Sequence, residues 1–389
     1  MSYTFYVPTR TMFGAGTLNE LHNQAMPGKK ALLVISSGKS AKESGALERT
    51  ISELTQAGAD HVLFSGVNSN PTKSAVMMGA KTAKESGCDF IVALGGGSVM
   101  DAAKAIAVMA VHDGDYWDYI GSGTGKGKPL VNQPLPIVAV STTAGTGSET
   151  DTACVITNES THEKIGFGNP ALFPVLAVVD PELMRTVPPA FTAYQGFDAL
   201  FHSTECYISA KTNRMGDMYA LTAIENVGRY LPRAVRDGND LEAREGMAFA
   251  NTLSGAVMTI SGCTAEHSLE HAMSAYHEDL PHGAGLLMIA KAYYTHFIQA
   301  GVCDDRFIRM AQALGTRDTS QPMDFIEALQ YLMNTCGVAD LKMSDYGITP
   351  SEFEMMARNA KDTMGRLFLN DRQPLTEADC IQIYNKSFQ

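Results

Sequence analysis

The sequence predicts an α/β N-terminal dinucleotide-binding domain, a Rossmann-like parallel sheet, followed by an all-α C-terminal domain. Three observations carry this. Strand-like and helix-like segments alternate through the first half. An apolar strand runs directly into three glycines and a helix at "IVALGGGSVMDAAKA" (91–105). Beyond about residue 190, β-branched runs thin out and long helical patterns take over.

In chain order, "KALLVIS" (30–36) is a short apolar run and reads as a strand, with a helix following through "ALERTISELTQAGAD". "HVLFSGV" (61–67) is the next strand, and "SAVMMGAKTAKESG" is a helix ending at Gly87. "DFIVALGGG" leads into the helix "SVMDAAKAIAVMAVHDG", and "PLPIVAVSTT" and "PVLAVVDP" supply two further strands. Such alternation implies a parallel sheet with helices on both faces. The second half reads as helices at "DALFHSTECYISA", "GDMYALTAIENVGRYLPRAVRDG", "LEAREGMAFANTLSGAVMTISG" and "DFIEALQYLMNTCG", punctuated by Gly and Pro. The boundary falls near Pro181, giving domains 1–182 and 183–389 with an active site expected in the cleft between them.

Bulk properties exclude several function classes. The 389 residues carry a net charge of -12 without a long basic run, which argues against a nucleic-acid partner. The longest apolar region is interrupted by Gly95–Gly97, Asp101 and Lys104, so no membrane span is expected. The N-terminal "MSYTFYVPTR" lacks the pattern of a signal peptide. Seven scattered cysteines with no CxxC pair speak against disulfides and zinc-thiolate sites and suit a reducing cytoplasm. We expect a homodimer or higher homo-oligomer. Trp117 and the 21 methionines read as packing.

Two stretches point to chemistry. Gly95–Gly97 lets backbone N–H groups approach an anion at a helix N-terminus, with Ser98 available as cap or donor. It is neither a Walker A loop nor a spaced GxGxxG. "STTAGTGSET" (141–150) is a second small-residue loop after a strand, placed to clamp a pyrophosphate or ribose. After the strand at 30–36, Ser36, Ser37, Gly38, Lys39 and Ser40 offer no acid before Glu43, a composition that tolerates the 2′-phosphate of NADP as well as NAD. In the second half, Asp198 and His202 stand at i, i+4, as do His267 and His271, and His282 follows Leu-Pro. A carboxylate with several imidazoles suits Fe(II), Zn(II) or Mn(II). "HSLEH" differs from the metalloprotease HExxH in the position of its glutamate.

The stretches "FGAGTL", "NPT", "GGGSVMDAAKA", "STTAGTGSE", "GFDALFH", "HSLEH", "LPHG" and "PLTEADC" together resemble the iron-dependent (group III) alcohol dehydrogenases, whose architecture is shared with dehydroquinate synthase. The resemblance implies reversible alcohol–aldehyde (or ketone) interconversion with NAD or NADP and a divalent metal, Fe(II) with Zn(II) or Mn(II) as alternatives. It implies Asp198, His202, His267 and His282 as metal ligands and His271 as a proton-relay or positioning residue near the nicotinamide. It places Asn70, Gly96, Gly97, Ser98, Asp101, Thr142, Thr143, Thr146 and Lys164 at the cofactor. The chain departs from the family in three places. The aspartate near Ser36 is missing, "YHED" lengthens the segment before His282, and Glu266 and Glu270 replace smaller residues. Three rival readings are a metal- and NAD-dependent lyase or cyclase of the same architecture, a glycerol-type polyol dehydrogenase and a non-catalytic binding protein. Arg366 is the candidate for drawing in an aldehyde that bears a carboxylate or sulfonate. His277 reads as a helix-end or surface residue.

Overall fold

The computed structural model describes residues 3–388. They form two compact units, Val7–Thr186 and the chain from Val187 onward, the latter joined by residues 3–6.

The first unit runs β1 (Arg10–Phe13), β2 (Lys30–Ser36), α1 (Ser40–Glu43), α2 (Ala46–Gln56), β3 (Asp60–Val67), α3 (Lys73–Ser86), β4 (Phe90–Gly95), α4 (Gly97–Met109), β5 (Ile137–Ser141), β6 (Ala153–Asn158), β7 (Glu163–Gly168) and β8 (Leu176–Val179). Six strands make a parallel sheet in the order β1-β8-β5-β4-β2-β3, and β6 and β7 pair as a separate antiparallel hairpin. The apolar runs alternate between two cores. Leu32, Val34, Ile91, Ala93, Ile137 and Ala139 pack on one side. Ala31, Leu33, Ile35, Phe90, Val92, Leu94, Val138 and Val140 pack on the other. Strands buried on both faces need continuous apolar sequence, which is why these runs lack a polar alternation. Local signals set the helix ends. Thr72 accepts the Ala75 N–H at 3.2 Å at the start of α3, and Gly87 closes that helix at φ +65°.

The sequence reading did not include β1, β6 or β7. β1 is four residues on a sheet edge, and the hairpin lies outside the main sheet. Neither has the long apolar run that marks a central strand. Trp117 is buried, and its indole N–H donates to Glu163 at 3.0 Å.

The second unit is helical: α5 (Pro189–Ile208), α6 (Arg214–Arg236), α7 (Leu241–Ser261), α8 (Ala265–Tyr276), α9 (His282–Gln299), α10 (Asp304–Ala313), α11 (Asp324–Thr335), α12 (Phe353–Phe368) and α13 (Glu377–Ser387). Small residues bring the long helices together. A Cβ at Gly196 would stand 2.2 Å from Leu231, and one at Gly246 would stand 2.1 Å from Tyr230, so α5, α6 and α7 can approach only with glycine there. Among the described residues no helix is long and apolar enough to cross a membrane.

Candidate metal and cofactor sites

The cofactor candidates of the first unit lie at the C-terminal edge of the sheet. From β2 the chain crosses outward to β3, whereas from β4 it crosses the other way to β5. That reversal leaves a crevice beyond β2 and β4, the usual ligand position in such sheets. Gly96 opens α4, and no side chain caps that helix start. A Cβ on Gly96 would lie 2.7 Å from Thr143 Oγ1, and one on Gly97 would lie 2.3 Å from Thr146 Cγ2. The two small-residue loops therefore pack directly on each other, and bare glycine backbone faces the threonines. Thr142 N–H donates to Gly95 O at 3.1 Å. Lys164 Nζ donates to Asn70 Oδ1 at 3.2 Å, which joins the β7 hairpin to the loop before α3. Ser36 ends β2 at a register shift against β3, and Ser40 is exposed at the start of α1.

Two residues are engaged differently from a simple phosphate contact. The Ser98 hydroxyl donates to the Ser69 carbonyl. Asp101 accepts from Ser148 Oγ at 2.8 Å and from Val155 N–H at 2.9 Å, so its carboxylate fastens the threonine loop and the hairpin to α4. Burial pushes Asp101 up to about 6, against the pull of nearby Lys104. Lys104 is fully buried and donates to Asp151 at 2.6 Å, Ser148 at 2.8 Å and the Ala153 carbonyl at 2.8 Å.

In the second unit, Asp198 and His202 share one face of α5, and His267 and His271 share one face of α8. His282 is the first residue of α9, after Pro281. Glycine sets its position: a Cβ at Gly283 would meet the Tyr194 carbonyl at 2.2 Å, and one at Gly285 would meet Glu270 Cγ at 2.8 Å. "LPHGAG" thus seats the start of α9 against α5 and α8. The outcome is a convergent set: His202 Nδ1, His267 Nε2 and His282 Nε2 each lie 3.5 Å from Asp198 Oδ1. The His202 and His267 rings stack with centroids 4.2 Å apart. Asp198 Oδ1 and His267 Nε2 are buried without a hydrogen-bond partner among the described residues. Buried polar atoms are normally satisfied, so convergent lone pairs left open mark a place for a cation. The donor set, one carboxylate and three imidazoles, fits a divalent first-row ion.

The electrostatics agree. Burial pushes the Asp198 carboxyl up, but the imidazoles of His202, His267 and His282 outweigh it and hold the group well below the usual range. Burial lowers His267 and His282, yet Glu205 and Asp198 raise the first, and Glu270 and Asp198 raise the second, above the ordinary imidazole value. A field that favours protons on these rings favours a dication in their place.

Sequence reasoning missed Glu205 and treated Glu270 as an oddity. Glu205 accepts from His267 Nδ1 and Glu270 from His282 Nδ1. Each carboxylate fixes the proton on Nδ1 and turns the Nε2 lone pair towards Asp198. Glu205 stands three residues after His202 on α5, a spacing that was available as a signal. Its other oxygen accepts from Thr264 N–H at 2.8 Å and Oγ1 at 3.0 Å. Glu266 takes no place in the set. It accepts from Tyr294 OH at 2.5 Å, and burial together with Glu205 holds it well above the usual carboxyl range. His271 lies 5.2 Å from His282 and 6.2 Å from His267 between ring centroids. His277 caps the end of α8 and pairs with Glu352 at 2.9 Å. Arg366 is exposed in the last turn of α12, just after a break at Met364.

A parallel-sheet unit with glycine-lined loops and a helical unit with a buried Asp/His set describe a dehydrogenase built in two parts, and comparison with known proteins gives the family. Residues 8–181 match the iron-containing alcohol dehydrogenase model, and residues 192–388 match the C-terminal model of the Fe-containing alcohol dehydrogenase family. The chain is 34% identical to the 1,3-propanediol dehydrogenase of Citrobacter freundii over the full length of both. It is 31% identical to the NAD-dependent methanol dehydrogenase of Bacillus methanolicus, covering 92% of each chain. An archaeal halo-thermophilic alcohol dehydrogenase from a Red Sea brine pool superposes with a TM-score of 0.95 at 35% identity, covering 100% of this chain and 99% of that one. The chain belongs to the iron-containing alcohol dehydrogenase family and is an oxidoreductase of alcohols and aldehydes.

Proposed function

We propose that the protein interconverts a primary alcohol and its aldehyde, using NAD or NADP and Fe(II) held by Asp198, His202, His267 and His282. The observation that carries the reading is the open Oδ1 of Asp198, buried and faced by three imidazole nitrogens at 3.5 Å. When bound, the ion supplies a Lewis acid for the substrate oxygen. The chain's own residues do the remaining work. Glu205 and Glu270 hold the protons of His267 and His282 on Nδ1, so neither ring has to reorient when the ion binds. The open start of α4, with Gly96 and Gly97 beneath Thr143 and Thr146, receives the pyrophosphate of the dinucleotide. His271 moves the hydroxyl proton, since a neutral imidazole accepts it and an imidazolium returns it.

Stripping the protein with a chelator is expected to abolish NAD(P)H-linked turnover, with Fe(II) restoring it and Mn(II) restoring part. An Asp198→Ala, His267→Ala double variant with full metal content and turnover would remove the site. Ser36→Asp is expected to weaken NADP binding and spare NAD, because a carboxylate there repels the 2′-phosphate; equal effects on both would exclude Ser36 from the ribose site.

A further inference from the structure

The proposed ligands leave unused a thiol that lies among them. Cys263 sits in the turn between α7 and α8, 8% exposed. Gly262 makes the bend at φ +70°, and Asn370 Nδ2 donates to the Cys263 carbonyl at 2.6 Å, which fixes the turn. One ligand atom each from His202, Cys263 and His267 lies within 4.8 Å of the others, as holds separately for Asp198, His267 and His282. The two triads share His267, whose buried Nε2 is unpartnered. One is a nitrogen and oxygen set, the other a nitrogen and sulfur set.

We infer that the helical unit has two ways of holding a divalent ion, and that His202, Cys263 and His267 form a soft-donor position that captures thiophilic ions such as Zn(II) away from Asp198 and His282. This rests on the reading of the unit as a metal centre. The physical basis is donor chemistry: carboxylate oxygen suits Fe(II) and Mn(II), whereas thiolate favours Zn(II), Cd(II) and, in substituted proteins, Co(II). Zinc takes sulfur at about 2.3 Å and imidazole nitrogen at about 2.0–2.1 Å in a tetrahedron, so ligand atoms within 4.8 Å of one another need to close by only about an ångström. On binding, the Cys263 S–H gives its proton to solvent and the thiolate electron pair forms the bond to the ion, with no change of oxidation state. Cys206, also buried, is one helical turn beyond His202 and hydrogen-bonds the Cys263 thiol, so it is the competing sulfur that the test has to separate from Cys263.

The test uses the full chain, stripped with a chelator and reloaded with one ion at a time. Co(II) is expected to give a thiolate-to-cobalt charge-transfer band in the near ultraviolet, and X-ray absorption of the Zn(II) form is expected to show one sulfur neighbour. Cys263→Ser should remove both and weaken Zn(II) by about tenfold or more while leaving Mn(II) affinity within a few-fold; Cys206→Ser, which keeps a hydrogen-bonding neighbour beside Cys263, should leave both signals present. If the wild-type chain binds Mn(II) and Co(II) without any sulfur signature, or if the signature follows Cys206, the soft-donor position is overturned and the metal centre stands. If the wild-type chain binds none of these ions, both fall. If Cys263→Ser does not fold, the wild-type and Cys206→Ser spectra together decide the matter, since a sulfur signature that survives Cys206→Ser belongs to Cys263.

Discussion

Replacing Glu205 with glutamine tests whether the carboxylate behind His267 controls the metal site. Glu205 is fully buried and accepts three hydrogen bonds: Thr264 N–H at 2.8 Å, Thr264 Oγ1 at 3.0 Å, and His267 Nδ1. An amide of the same shape has only one accepting end. If its oxygen keeps Thr264, its NH2 group faces Nδ1, which must then accept. The ring proton moves to Nε2, the nitrogen 3.5 Å from Asp198 Oδ1, and that nitrogen no longer has a lone pair for an ion. Loss of such an orienting partner costs about 10–100-fold in metal affinity, or about 1.4–2.8 kcal/mol. Mn(II) titration of chelator-stripped protein, followed by the paramagnetic resonance of free Mn(II), reads the change directly. Glu205→Asp keeps both accepting ends and should lose less. A folded Glu205→Gln variant with wild-type Mn(II) affinity would refute the tautomer argument.

Three further outcomes follow from the geometry. Gly97→Ala places a Cβ 2.3 Å from Thr146 Cγ2, and overpacking of about 1–3 kcal/mol should weaken dinucleotide binding by about tenfold; adding Thr146→Ser, which removes that methyl, should restore part of it in a fluorescence titration, and no change in either variant would clear the loops of this role. Lys104→Met leaves Asp101 and Asp151 buried without their ammonium, a loss of about 3–5 kcal/mol in urea unfolding; a loss below about 1 kcal/mol would show that the cluster is not held by charge. Burial pushes Asp371 up to about 8, against the hydrogen bonds from Tyr293 and Ala265. Its unfolded value is near 3.9, so the native state holds a proton that the unfolded chain lacks, and stability falls as pH rises from roughly 4 to 8. Asp371→Asn should flatten the fall of Tm across that window, and parallel wild-type and variant profiles would contradict it.

Much of this was legible in the sequence because the signals were local. "KALLVIS" coincides with β2, Gly87 closes α3, and "GGGS" opens α4, since continuous apolar runs and glycine at helix ends act through backbone geometry within a few residues. DxxxH and HxxxH likewise place pairs of side chains on one helix face without reference to the rest of the chain. The edge strand β1 was not legible, because a short, half-exposed strand takes its stability from β8, far along the sequence. The β6–β7 hairpin is local and largely buried, but its polar residues and glycines (Thr157, Asn158, Glu163, Lys164, Gly166 and Gly168) interrupt the apolar run that would mark a strand.

The sequence by itself determined the parallel sheet, the helical second half, the glycine loop and the two i, i+4 pairs, all set by periodicity and backbone preference. Only the tertiary structure decided that His267 and His282, which follow Asp198 by 69 and 84 residues, each come to 3.5 Å from its Oδ1. The same holds for Glu205 and Glu270, which prove to be partners of histidine rings, and for Cys263, which comes within reach of His202 and His267. These juxtapositions depend on how closely α5, α8 and α9 pack. That distance is fixed by glycines such as Gly283 and Gly285 against distant side chains and carbonyls, a relation that no local pattern encodes.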